Sequence, residues 1–333
     1  MTDDVRSLQI STSPFVHRGQ TTRSIMFEVV GATLPVIAAA TYYFGVTAFL
    51  VIAAAVVGAA GTEWLFARDR GWSTLRDGSG LLTGVLLALT LPPGVPLWMA
   101  FLGGVVAIFL GKVIWGGLGK NAFNPALVGR AFLQAAFPIT LTTWVAPLGG
   151  TWHVAPSTLA PPLMKPSVDV ISAASPLGLS KFQHQSTDLW SLLVGNTAGS
   201  LGETAGLVLI VVGLWLTIRR VFDWRLPLAT LLTVALFSGV LHWLSPSSHP
   251  HPLFMLCSGG LLFAAVFMVT DPVTTPLAPR GAWVFGIGVG VLVVLIRSWG
   301  GLPEGVMYAI LLMNAVTPLI DRKFMPRRFG GKS

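Results

Sequence analysis

The sequence predicts an all-α integral membrane protein, with about ten transmembrane helices arranged as two inverted five-helix repeats containing broken or re-entrant segments. Three observations carry that reading. Of 333 residues, 53% are hydrophobic and only 10% are charged, against about 25% charged in an ordinary soluble domain, and the mean hydropathy is +0.74. Apolar windows of about 20 residues, long enough to span the hydrocarbon core as a helix, recur along the whole chain. Pieces of the first half also return in the second. "GLLTGVLLALTLPPGVP" from Gly80 is answered by "GLLFAAVFMVTDPVTTP" from Gly260 at an offset of 180, and "WGGLG" at Trp115 by "WGGLP" at Trp299 at an offset of 184. Five spans per half is an odd number, so the second copy runs inverted, an architecture in which discontinuous helices of the two repeats meet near the midplane.

Residues 1–23 form a polar cytoplasmic segment without the short apolar stretch behind a basic start that marks a cleavable signal peptide. The first repeat, 24–143, holds spans near 24–45, 46–66, 79–91, 96–114 and 123–143. Its third span is short and is stopped by Pro92-Pro93, which predicts a broken or tilted helix. A loop at 144–199 follows. The second repeat, 200–320, holds spans near 200–219, 226–245, 252–270, 282–298 and 304–320, and residues 321–333 form a C-terminal tail.

Orientation follows from the basic residues. With ten spans, 17 of the 21 lysines and arginines fall on the side of the two termini. Lys165, Lys181 and Arg297 fall opposite, and Arg130 lies within a span. The positive-inside rule then puts both termini in the cytoplasm and the loop 144–199 on the periplasmic face of an inner membrane. The net charge of +8 is therefore a topology signal and does not point to nucleic acid. The single cysteine, Cys257, supplies neither a disulfide nor the ligands of an iron–sulfur cluster, so any such cluster belongs to a partner.

Glu28, Glu63, Glu203 and Asp271 lie in or at the ends of spans, where a charge costs about 2.5–3.5 kcal/mol at the bilayer centre and needs a partner or water. For Glu63 and Glu203 an interfacial or capping role is favoured. Glu28 and Asp271 are candidates for a cation path, balanced against the same structural role. His242, His249 and His251 lack nearby carboxylates and read as a polar turn, and no pair of residues is spaced like a metal site.

Two segments carry the chemistry. In "GGLGKNAFNPALVGRAFL", residues 116–133, three glycines permit a broken backbone, and Lys120, Asn121 and Asn124 offer donors just ahead of Pro125, suited to a helix's first turn. A ligand site and a plain capping turn both fit that pattern. In "SVDVISAASPLGL", residues 167–179, Asp169, Ser172 and Ser175 recur at three-residue steps among small residues in the outer loop.

With "SPFVHRGQTTRSIMFEVVGATLP", "RDGSGLLTGVLLALTLPPGVPLWM", "GNTAGSLGETAG", "FMVTDPVTTP" and "LPEGVMYAILLMNAVTPLIDR" in order along the chain, the sequence resembles the RnfD family of Rnf-type electron transport complexes, which is homologous to the NqrB component of the sodium-pumping NADH:quinone oxidoreductase. The resemblance implies FMN bound covalently through its phosphate, at a motif similar to D-x-x-[ST]-x-A-T, by a dedicated flavin transferase. Asp169, Ser172 and Ala174 match that motif, and Ser175 stands where the family has threonine. Ala122 stands where the family often has proline. The resemblance also implies a second, noncovalent flavin, often assigned as riboflavin, for which Asn121, Asn124 and Arg130 are candidates by their polarity in an apolar setting.

The expected function is that of a membrane subunit of an ion-translocating oxidoreductase, passing electrons between redox subunits with coupled Na+ or H+ transport. It would not be an enzyme by itself, and its partners would be iron–sulfur and flavin subunits. No residue acts as a catalytic nucleophile or base beyond Ser175 accepting FMN during maturation. The rival readings are a cofactor-free inverted-repeat permease or channel for a small solute, and a structural scaffold within a redox complex.

Overall fold

A computed structural model of the chain describes residues 21–66, 75–147, 156–162, 172–183, 185, 187–246 and 248–324. It is predominantly helical, as the composition predicts. In the first half, α1 (Thr22–Phe44) and α2 (Val46–Phe66) turn about Gly45, and α3 (Ser79–Leu89) and α4 (Leu97–Ile108) follow, with α4 running into a π-helical turn at Phe109–Val113. Next come α5 (Pro125–Ala136) and the short α6 (Pro138–Thr142), broken apart at Phe137-Pro138. The loop expected at 144–199 carries its own structure. A strand β1 (Trp144–Val145) pairs antiparallel with β2 (Ser172–Ala173), and α7 (Pro176–Gln183) and α8 (Leu189–Val194) follow. The second half holds α9 (Gly206–Ile218), α10 (Arg225–Leu244), α11 (Pro252–Cys257), α12 (Leu261–Phe267), α13 (Pro279–Trp299) and α14 (Val306–Phe324).

Among the described residues four helices, α1, α2, α10 and α13, are long and apolar enough to cross a membrane alone, and α3, α9 and α4 with its π turn are shorter apolar segments. The fold is therefore that of a multi-pass membrane protein in which several of the sequence windows are filled by part-helices. The clearest is α3. Eleven residues at 1.5 Å each cover about 16 Å, roughly half of a hydrocarbon core, and Pro92-Pro93 prevent continuation. In the second half, the window 252–270 is split between α11 and α12 by Ser258–Gly260, with Gly259 at φ +68°.

Packing is also alike in the two halves. The most extensive helix pairs are α2 with α4 and α10 with α13. α4 packs on α5 as α13 does on α14, and the halves meet where α1 touches α9 and α5 touches α14. The leading pairs cross over small residues, as membrane helices do when close backbone approach replaces a hydrophobic driving force. A methyl group on Gly104 would collide with the Ala55 carbonyl oxygen of α2, and one on Gly286 with Ala229 and the Leu226 carbonyl of α10. Gly104→Val is accordingly expected to force α2 and α4 apart, at an overpacking cost of about 1–3 kcal/mol or more. A monodisperse, wild-type-like elution profile for that variant in mild detergent would contradict the seam.

Candidate functional site

Two cavities lead into the fold from opposite faces. The larger, about 800 Å³, lies toward the face at which α1 begins, with walls including Met26 of α1, Leu82 and Leu86 of α3 and Phe267 of α12. Its volume is in the range of small-molecule and cofactor sites, as is its mostly apolar lining with a few polar groups. Those polar groups come from element ends. Asn124 caps α5, its Oδ1 accepting from Leu127 N at 3.3 Å ahead of Pro125 in the first turn. Asn121 reaches it because Gly116, Gly117 and Gly119 adopt φ of +100°, +106° and +85°, bending the chain back where most residues would be strained. Asn121 is 6% exposed, and its Nδ2 donates to Phe123 O at 3.2 Å while its Oδ1 is buried without a partner.

Across the cavity Asp271 follows α12. Its Oδ1 accepts from Val273 N at 3.1 Å and its Oδ2 from the Thr274 hydroxyl at 3.2 Å. At the α3 end stand Ser79 and Lys112. Lys112, carried on the π turn, donates to Glu63 Oε1 of α2 and to Ser79 Oγ, and Ser79 in turn donates to Asp77 Oδ1. Lys112 and Glu63 are 5% and 3% exposed, so this is a fully buried ion pair. It differs from what the sequence suggests for both residues, which would place Lys112 in a basic loop and Glu63 at an interface. The π turn is the signal that points there, since such bulges gather at functional positions.

The smaller cavity, about 430 Å³, lies on the opposite face and is lined by Arg130, Gln134, Trp144, Leu302, Glu304 and Tyr308, among others. Arg130 therefore does not join Asn121 and Asn124. Its Nη2 meets Glu304 Oε2 at 3.2 Å, with its Nε buried and unpartnered, and Glu304 Oε1 accepts from Gly260 N ahead of α12. Arg297, 4% exposed near the end of α13, donates to Met255 O at 2.6 Å and Ser258 O at 3.0 Å, bridging the α11–α12 break. Glu203 joins the same electrostatic neighbourhood, with the Ser200 N–H and hydroxyl donating to its Oε2 at 3.1 and 2.9 Å. Its loop is held against the end of α3 by Gly202 N to Leu89 O and Leu201 N to Leu91 O. Sequence reasoning misses Glu304 and Arg297 as site residues because neither is near its partners in the chain.

The other sequence candidates separate. Glu28 is paired with Arg219 Nε at 2.7 Å and ties α1 to the end of α9. Asp169 lies outside the described residues, and Ser172 contributes its backbone to β2. Ser175 is only 8% exposed, where a loop of small residues suggested free exposure. Its Oγ accepts from Gly178 N at 3.2 Å and caps the first turn of α7. The donor set suits a phosphoester, because a helix N-terminus favours negative charge and a phosphate on Oγ can take over the capping bond. From the far end of α7, Lys181 Nζ donates to Gly300 O at 2.6 Å, Leu302 O at 3.0 Å and Ile296 O at 3.3 Å. Burial pulls this ammonium below the usual lysine range.

A bundle with helices stopped part-way and one cavity on each face defines a polytopic membrane protein of the broken-helix type, built to hold ligands or ions between its repeats. The chain belongs to the NQR2, RnfD, RnfE family, whose profile matches residues 9–330. It is 42% identical over 325 residues to the RnfD-type subunit of the ion-translocating oxidoreductase complex of Stutzerimonas stutzeri, covering 92% of this chain and 91% of that protein. It is 37% identical over 332 residues to the corresponding subunit of the proton-translocating ferredoxin:NAD(+) oxidoreductase complex of Clostridium ljungdahlii, covering 96% of each.

Proposed function

We propose that the chain is the membrane subunit of an ion-translocating electron transport complex, bearing FMN on Ser175 at the periplasmic face and coupling electron passage to Na+ or H+ movement. The observation that carries this reading is the likeness, over nearly the whole length, to relatives named as subunits of such complexes. The matched helix pairs of the two halves support the inverted repeat, and the concentration of basic residues on one side supports cytoplasmic termini in an inner membrane. Its partners are iron–sulfur and flavin subunits of the complex, with a flavin transferase acting during maturation.

Bound flavin supplies redox chemistry that no side chain here provides, and the protein supplies position and electrostatics. Ser175 holds the phosphate at the start of α7. Asn121 and Asn124 offer polar contacts for a second, noncovalent flavin in the larger cavity, where the unpartnered Asn121 Oδ1 would accept a donor from a heterocycle. Asp271 faces the same cavity and is the better placed of the two cation-path candidates, since Glu28 is engaged by Arg219.

The test is in-gel flavin fluorescence. The wild-type chain, made with the transferase, is expected to give a fluorescent band on a denaturing gel under ultraviolet light. Ser175→Ala is expected to lose it while remaining folded, at a cost of about 0.5–2 kcal/mol for a lost helix cap, and Ser175→Thr to keep it. A fluorescent Ser175→Ala band would move the attachment elsewhere. A dark wild-type band with no flavin in the absorption spectrum would favour the cofactor-free permease.

A further inference from the structure

The smaller cavity stands beside Ser175 on both sides of that residue in the chain. Ahead of it, β2 pairs with β1 in a register that sets Ala173 opposite Trp144, and Trp144 lines the cavity. Ser175 is two residues further on, so its Cα lies within about 7 Å of that pairing even for a fully extended link. Behind it, Lys181 of α7 holds the Leu302 carbonyl, and Leu302 lines the cavity as well. Ser175 is thus fixed at the rim by a strand on one flank and a helix on the other.

The lining has a specific chemistry. Trp144 and Tyr308 supply aromatic surface, and Gln134 supplies an amide with both donors and acceptors. The Arg130 side chain is 11% exposed and its Nε–H is buried without a partner, while its Nη2 is engaged by Glu304. A buried orphan donor on a cation, beside two aromatic rings, calls for a flat, electron-poor heterocycle with carbonyl or ring-nitrogen acceptors on its edge. At about 430 Å³ the space is in the range of small-ligand sites.

We propose that this cavity is the seat of the isoalloxazine ring of the flavin tethered at Ser175, with Trp144 and Tyr308 against the ring and Arg130 donating to its polar edge. The proposal rests on the reading of Ser175 as the attachment residue and adds where the tethered ring resides. It assigns Trp144, Tyr308 and Arg130 positioning roles that attachment alone does not require. The cavity also places the ring beside the Arg130–Glu304 pair, and therefore within one hydrogen-bonded step of Gly260 at the α11–α12 break.

Flavin emission is quenched on contact with tryptophan or tyrosine, which gives a readout independent of electron transfer. Emission of the purified chain is measured in mild detergent and again after denaturation, the denatured value counting the attached flavin. Wild type is expected to brighten several-fold on denaturation. Trp144→Leu and Tyr308→Leu, made separately, are each expected to brighten the native state at least twofold with the denatured value unchanged. Trp144→Leu keeps the backbone pairing of β1, and Tyr308→Leu lies on a different helix, so a folding defect in one leaves the other to report. An intact fluorescent band with native emission unaltered in both variants overturns the proposal while leaving the attachment standing. A dark wild-type band removes the tether, and overturns both.

Discussion

Lys112→Ala is expected to leave little folded protein in the membrane, with a loss of about 3–5 kcal/mol in stability. The lysine is 5% exposed on the π turn after α4, and its three protons serve Glu63 of α2 and Ser79 at the start of α3. Removing it abandons the Glu63 carboxylate at 3% exposure, with Oε2 already lacking a hydrogen-bond partner. A buried charge without its counter-ion is worth far more as a penalty than the intact pair is worth as a gain. The double variant Glu63→Leu with Lys112→Leu is therefore expected to recover much of the loss, because it removes both desolvated charges together. Thermal unfolding followed by size-exclusion in detergent checks both. A Lys112→Ala protein as stable as wild type would mean that water reaches the pair.

The spans were legible because hydropathy and proline placement are local. Pro92-Pro93 announces the end of α3, and the three glycines before Lys120 announce a bent backbone; both are found where the sequence puts them. The ion pairs were not legible, because their partners are joined only by packing. Glu63 and Lys112 are 49 residues apart and meet where α2 crosses α4, and Arg130 and Glu304 are 174 apart and meet where α5 approaches α14. Read singly, a glutamate near a helix end looks interfacial, and an arginine amid apolar residues looks like a ligand for something else. Ser175 illustrates the same limit for burial. Small residues and serines suggest an open loop, but Leu177 on α7 packs with Leu192 of α8 and Phe254 of α11, and that contact draws the start of α7 inward. A transferase must therefore meet this segment before it docks or open it locally.

Glu304→Ala is expected to be the most damaging substitution on the opposite face, again by about 3–5 kcal/mol. The carboxylate is the only link in the described structure that joins Arg130 of α5, the Gly260 N–H ahead of α12 and the start of α14. Its loss leaves Arg130 without an ion-pair partner and takes a neighbouring negative charge from Arg297, which still has Glu203 nearby. Glu304→Gln keeps an oxygen for Gly260 and is expected to fall between wild type and Ala. Arg130→Met in the Glu304→Ala background is expected to regain only part of the loss, since Gly260 N stays unbonded and Arg297 stays undercompensated. That partial recovery separates this network from the Glu63–Lys112 pair, where removing two charges closes the account. A double-mutant cycle on unfolding midpoints measures the difference. Strict additivity of Arg130→Met and Glu304→Ala would show that the two side chains do not interact, and the network drawn around the α11–α12 break would then have to be abandoned.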